Sequence, residues 1–191
     1  MSIVKSIQAF EKANSRVIWE KLYNTITGRP HELLSFEAVK EALDLKIGVT
    51  KGLQEIELSR IIGSAGRHQA FTRAFSPKHK WTRGRWQGID QLFYKSGFEP
   101  IKVYQVGNVY FVEDGNHRIS VSRAHGLKTI EAYVVGYQTD VPIYINDDLP
   151  SIVQRKNGAA GSQTQTKRRP AHNPLGDIWQ WVKVQFQHGM G

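Results

Sequence analysis

The chain contains no cysteine. Disulfides, thiolate metal sites and cysteine nucleophiles are therefore excluded. No apolar run approaches the roughly 18 residues needed to cross a bilayer. The N-terminus lacks an apolar core followed by a small-residue cleavage pattern, so no secretory signal is expected and a cytoplasmic location is. A Walker phosphate loop is missing, because no Gly-Lys-Ser/Thr follows the glycine-rich stretch at Gly63–Gly66. A metal signature is missing too. His117 and His125 lie eight apart, not at the four-residue spacing of a helical zinc pair, so no structural metal is expected. Acidic residues are in deficit, 17 Asp+Glu against 26 Lys+Arg, for a net charge of +9. That balance favours anionic partners such as nucleotides or nucleic acid.

What is present is ordinary in bulk. The chain has 191 residues, 40% hydrophobic and 23% charged. This suffices for one domain of typical size with a proper core, plus extensions. No internal repeat is visible.

The stretch Ile101–Tyr137 organises the rest. Val103–Val106 and Val109–Val112 are rich in β-branched and aromatic residues, which favours strands. Gly107-Asn108 between them suits a two-residue II′ hairpin turn. The chain then turns polar through Glu113-Asp114-Gly115-Asn116. Ile119–His125 reads as a short helix with Gly126 as its C′ residue, and its small residues Ser120, Ser122 and Ala124 suit close packing on a sheet. Thr129–Val135 reads as a further strand. A glycine loop feeding a helix start presents unpaired N–H groups and the positive end of the helix dipole, which suits an anion. His117 and Arg118 add donors there, and the arginine fork matches phosphate geometry. The same residues also suit a plain strand-to-helix turn, with Asp114 or Asn116 as cap and Arg118 in solvent.

This segment resembles the core of the ParB/sulfiredoxin-like superfamily, often labelled ParB-like nuclease domain. There a strand pair leads into a Gly-x-[His/Arg]-Arg box, a helix, a glycine and a strand. The box is Gly-Glu-Arg-Arg in ParB and Gly-Cys-His-Arg in sulfiredoxin. Here it is Gly115-Asn116-His117-Arg118. The resemblance spans about residues 100–135 and continues in weaker form upstream to Ile56. It implies that Gly115, Asn116, His117 and Arg118 bind nucleotide phosphates, with Arg67 as a further phosphate or ribose contact and Mg²⁺ accompanying a bound nucleotide. Sulfiredoxin chemistry is excluded by the missing cysteine. Asn116 stands where ParB has glutamate and cannot act as a general base. Hydrolysis or phosphoryl transfer would then fall to Glu113 or Asp114. The helix-turn-helix that chromosome-partitioning ParB proteins carry after the core is not recognisable here.

Elsewhere the chain is less informative. Apolar residues at near-helical spacing run from Ile3 to Ile26, and Gly28-Arg29-Pro30 ends that helix. Ser35 caps a second helix, which reaches about Leu45 and is stopped by Gly48. These two helices suit packing or self-association, which would make the protein a homodimer. Leu53–Ile62 suggests a short strand or a helical turn. Phe71–Pro77 reads as packed, with Arg73 exposed. The segment Lys78 to Trp86 carries Lys78, Lys80, Arg83 and Arg85 with two tryptophans interleaved. Such a mix can follow a phosphate backbone and stack bases; it equally suits a connector whose tryptophans complete the core. A helix through Ile89, Leu92 and Phe93 ends near Gly97. Residues 155–174 are polar and basic and are expected to be flexible. Residues 177–186 are apolar and aromatic, suited to docking on the domain or on a partner.

The expected fold is α+β: a small mixed β-sheet built on the hairpin, an N-terminal helical segment (1–50), a core domain (51–150) and a flexible basic tail (151–191). The expected function is binding of a nucleotide or other phosphate ligand, with weak turnover as an open question. A DNA-binding module and a non-catalytic interaction scaffold are the alternatives. No membrane partner is expected.

Overall fold

The computed structural model describes residues 3–165. The backbone contacts divide the chain into Met1–Lys156 and Asn157–Gly191. The sheet, the first four α-helices, the start of the last helix and the candidate site all lie in the first of these. The elements, in order, are α1 (Ile3–Thr27), β1 (Leu34–Ser35), α2 (Phe36–Leu43), β2 (Val49–Glu57), β3 (Ile61–Ser64), α3 (Arg83–Lys95), β4 (Ile101–Val106), β5 (Val109–Asp114), α4 (Asn116–Ala124), β6 (Thr129–Tyr137) and α5 (Leu149–Gln165). Single 3₁₀ turns at Leu58–Arg60 and Lys80–Thr82 precede β3 and α3.

The six strands form one mixed sheet in the order β1-β3-β5-β4-β6-β2. The expected hairpin is its centre. β4 and β5 pair antiparallel, with Val103 opposite Val112 and Val106 opposite Val109. Gly107 has φ +57° while Asn108 has a negative φ, as a II′ turn requires. β6 runs parallel to β4, and β2 pairs antiparallel with β6 along its whole length. β2 begins at Val49, earlier than the sequence suggests, because its outward face is polar and its pattern is therefore diluted.

Two apolar layers cover the sheet. On one face Ile56, Ile101, Val112 and Val134 pack with Phe71, Phe75 and Ile119 of α4. On the other, Phe111, Val106 and Ile62 pack with Phe36 and Val39 of α2 and Ile152 of α5. A third cluster lies behind α4: Phe10 and Ala13 of α1, Trp86 of α3 and Val121 of α4. Phe10 meets Trp86 edge-on at 5.7 Å, a geometry that aromatic pairs favour. The α4 helix is thus wedged between the sheet, through Ile119, and α1 and α3, through Val121. Ser120 does not lie against the sheet but accepts the Trp86 indole N–H at 3.0 Å.

Ser35 caps α2 as expected, its hydroxyl accepting from the Ala38 N–H at 3.3 Å. The helix ends at Asp44 in the left-handed region, φ 54°, four residues before Gly48. Arg73 is not an exposed cation. Its guanidinium donates to the carbonyls of Ile62 (2.6 Å), Asp147 (2.6 Å), Ile145 and Glu32, and burial lowers its pKa to about 10. These acceptors lie up to 74 residues away, so no local pattern announces them. Residues 155–165, read in the sequence as the start of a tail, continue α5. The remainder of that tail and the segment 177–186 lie outside the described residues. Among the described residues no helix is long and apolar enough to cross a membrane.

Candidate functional site

The site forms where β5 meets α4. Asp114 ends the strand, and Gly115 turns the chain with φ +120°, ψ 14°. A Cβ on Gly115 would collide with Ile101 (2.8 Å from its Cβ, closer still to its Cγ2), so both backbone angle and space demand glycine. Helix α4 starts at Asn116, and its first internal bond runs from the Ile119 N–H to the Gly115 carbonyl. Intrahelical bonding therefore leaves the N–H groups of Asn116, His117 and Arg118 without acceptors. No side chain caps the helix, so neither Asp114 nor Asn116 fills that role.

The neighbouring strand brings the second wall. β3 runs parallel to β5, with Ser64 opposite Val112. The Ala65 N–H and the Ser64 hydroxyl both donate to the Val112 carbonyl, at 2.8 and 3.1 Å. The chain after β3 therefore leaves the sheet beside Asp114 and Gly115, and it carries Arg67. The third wall is α3. Trp86 anchors that helix on α4, which sets its neighbour Arg85 and, one turn on, Ile89 against the α4 N-terminus. Together these parts enclose a cleft of about 440 Å³ lined by Ala65–Arg67, Arg85, Ile89 and Glu113–Arg118.

Electrostatically the cleft is positive. Among the described residues no carboxylate pairs with Arg67 or Arg85. Arg118 is engaged within the protein. Its Nη1 donates to the carbonyls of Glu99 and Pro100, both at 2.9 Å, and its Nη2 pairs with Asp114. The fork that the sequence suggests for phosphate thus ties the loop to the entry of β4, and Arg118 is not in bulk solvent. Asp114 is neutralised in the same pair. Glu113 also lines the cleft, and the Tyr104 phenol hydrogen-bonds to it; burial, and then Glu113, raise the Tyr104 pKa to about 12.

His117 is 7% exposed and Asn116 6%. The Phe71 ring meets the His117 imidazole edge-on at 5.1 Å. Burial lowers the His117 pKa to about 4, helped by the charges of Arg85 and Arg67. The imidazole is therefore neutral at pH 7. Its Nδ1 and the Asn116 Oδ1 are buried without a protein partner. Buried polar atoms are almost always satisfied, and these two belong to residues that line the cleft.

The sequence groups Lys78, Lys80, Arg83 and Arg85 as one basic strip, and the structure divides them. Lys78 pairs with Glu32 and Arg83 with Glu11. Lys80 is exposed, and Arg85 lines the cleft. The tryptophans divide too: Trp86 is fully buried, whereas Trp81 is 71% exposed. Sequence reasoning missed the support of Glu113 by Tyr104 and the cleft roles of Arg85 and Ile89. The resemblance named Arg67 as a contact, and the parallel pairing of β3 with β5 is what brings it beside the box.

Among solved structures the chain is similar to a sulfiredoxin from Arabidopsis thaliana. The match has 20% identity and a TM-score of 0.35 and covers 45% of this chain and 86% of that one. No protein-family model and no curated protein matches the chain.

Proposed function

We propose that the cleft binds the phosphate groups of a nucleotide or a related phosphorylated ligand. One observation carries this reading. The uncapped start of α4 and two arginines without carboxylate partners meet at one cleft. In it the amides of Asn116, His117 and Arg118 receive phosphate oxygens, and Arg67 and Arg85 supply the countercharge. The neutral His117 imidazole and the Asn116 amide make the remaining contacts. Arg118 holds the loop in shape, and Asp114 holds Arg118.

Binding is supported better than turnover. Asn116 has no acid–base chemistry, and Asp114 is committed to an ion pair. Among the described residues Glu113 is the carboxylate at the rim free of a cationic partner, and the Tyr104 phenol is already bonded to it. Mg²⁺ fits this site only as a companion of bound phosphates, with Glu113 as its protein ligand, since Mg²⁺ commonly keeps its waters and takes one or two carboxylates.

The test is thermal stabilisation of the full chain by nucleoside di- and triphosphates and by inorganic tripolyphosphate, with and without Mg²⁺. A ligand at 100 times its Kd should stabilise by about 2.7 kcal/mol. Arg85→Ala and Arg67→Ala should each weaken binding roughly tenfold or more, because each removes a charge-assisted contact worth about 1.5–3 kcal/mol. Equal protection of wild type and of both variants would sink the assignment. Protection by none of these ligands would leave the scaffold reading in its place.

A further inference from the structure

Trp81 is a large apolar ring left in water four residues before the cleft-lining Arg85, and nothing in the core explains it. It is 71% exposed. His79 stacks on one of its faces, with ring centroids 5.8 Å apart and planes 15° apart. The imidazole backs the indole and leaves the other face open. Trp81 sits in the 3₁₀ turn Lys80–Thr82, which runs directly into α3 at Arg83. Thr82 and Arg83 both have helical backbone angles, so the turn and the helix form one nearly continuous coil. Arg85 and Ile89 share one face of α3, and Trp81 precedes Arg85 by four residues across the junction of the 3₁₀ turn with that helix. Arg85 and Ile89 line the cleft. Trp81 lies about one helical turn (~5.4 Å) before Arg85 along that coil.

We propose that Trp81, backed by His79, is the platform on which the base of the bound ligand stacks, so that the ligand is a nucleobase joined to phosphate rather than a bare phosphate or sugar phosphate. This rests on the phosphate reading of the cleft. A nucleoside's base and its 5′-phosphate are separated by one sugar, a span of the same order as the turn between Trp81 and Arg85. A flat indole face accepts any base, so the platform predicts affinity with weak discrimination among bases. Lys80, its exposed neighbour in the chain, adds a positive charge next to the platform. The base comes either from a free nucleotide or from a single strand threaded past the cleft.

The test is titration calorimetry on the full chain. Wild type, Trp81→Ala and Trp81→Phe are each titrated with a purine and a pyrimidine nucleoside triphosphate, inorganic tripolyphosphate and a short single-stranded oligonucleotide. Wild type should bind the nucleoside triphosphates at least about tenfold more tightly than tripolyphosphate. Trp81→Ala should weaken nucleotide binding roughly 5- to 100-fold, the range for loss of one stacked base, and leave tripolyphosphate unchanged. Trp81→Phe should recover most of the loss. If Trp81→Ala weakens all ligands equally, or none, the platform is refuted. If tripolyphosphate binds and the nucleotides bind no tighter, the platform fails while the phosphate site stands. If wild type binds nothing offered, both fall. An oligonucleotide that outcompetes the mononucleotides and loses affinity in Trp81→Ala supports the platform and identifies a strand as the source of the base; preference for the mononucleotide supports it and identifies a free nucleotide.

Discussion

Gly115→Ala should cost the folded domain about 3–4 kcal/mol and remove phosphate-ligand binding at the cleft. Two costs combine. The residue sits at φ +120°, where a side chain brings strain of order 1–3 kcal/mol. The new methyl would also press into Ile101, which is completely buried. Overpacking of this kind costs typically 1–3 kcal/mol. Ile101 cannot easily give way, since it opens β4 and pairs with Ala132 of β6. The chain must instead shift the turn, which moves the amides of Asn116 and His117. Urea unfolding should therefore give a lower midpoint at unchanged m-value, and the melting temperature should fall by roughly 10 °C. A loss below about 1 kcal/mol with binding intact would mean that the turn is not the rigid seat described. Ile101→Ala removes the nearer clashing atom, Cγ2, so Gly115→Ala made in that background should recover part of the clash and none of the dihedral strain, which separates the two causes.

The reach of local chemistry decides what the sequence could reveal. The β4–β5 hairpin was legible because Gly107-Asn108 and the flanking β-branched residues act within a few positions. So were the Ser35 cap and the strand–box–helix order around Gly115. Both readings of the box also kept something. Arg118 is largely covered, and its bonds go to Glu99, Pro100 and Asp114 rather than outward. A window around residue 118 contains Asp114 but not the carbonyls 18 and 19 residues upstream. Arg73 and its acceptors in the 145–147 loop are the extreme case.

The basic strip at 78–86 shows the same limit from the other side. Six residues that look alike by charge and aromaticity have different fates, fixed by partners elsewhere. Glu11 of α1 takes Arg83, Glu32 takes Lys78, and Ser120 of α4 takes Trp86. What remains after those pairings is Trp81, Lys80 and Arg85. These are the residues that no structural duty explains; Arg85 lines the cleft, and Lys80 and Trp81 lie just before it in the chain. Composition could say that the strip was basic; the subtraction needed the tertiary partners.

His117 makes stability depend on acid in a defined window. In the unfolded chain its imidazole takes a proton near the ordinary value of 6.5. In the folded domain burial, with Arg85 and Arg67 beside it, holds the pKa at about 4. The fold therefore favours the neutral ring, and the unfolded state binds more protons between these values. Stability from this group is complete above pH 6.5, falls as pH drops from 6.5 to about 4, and loses nothing further below that. The full drop is on the order of 2–3 kcal/mol. Carboxylates begin to titrate at the lower end, so the comparison should be with His117→Gln, which should show a shallower slope between pH 6.5 and 4.5. Identical slopes in both proteins would refute the assignment. A ligand offers a second check. A bound phosphate offsets the field of Arg67 and Arg85, two of the three causes of the depression, and leaves burial. Saturation with tripolyphosphate should thus raise the His117 pKa above 4 in an NMR titration without returning it to 6.5, and by reciprocity the anion should bind more tightly as the pH falls through that interval.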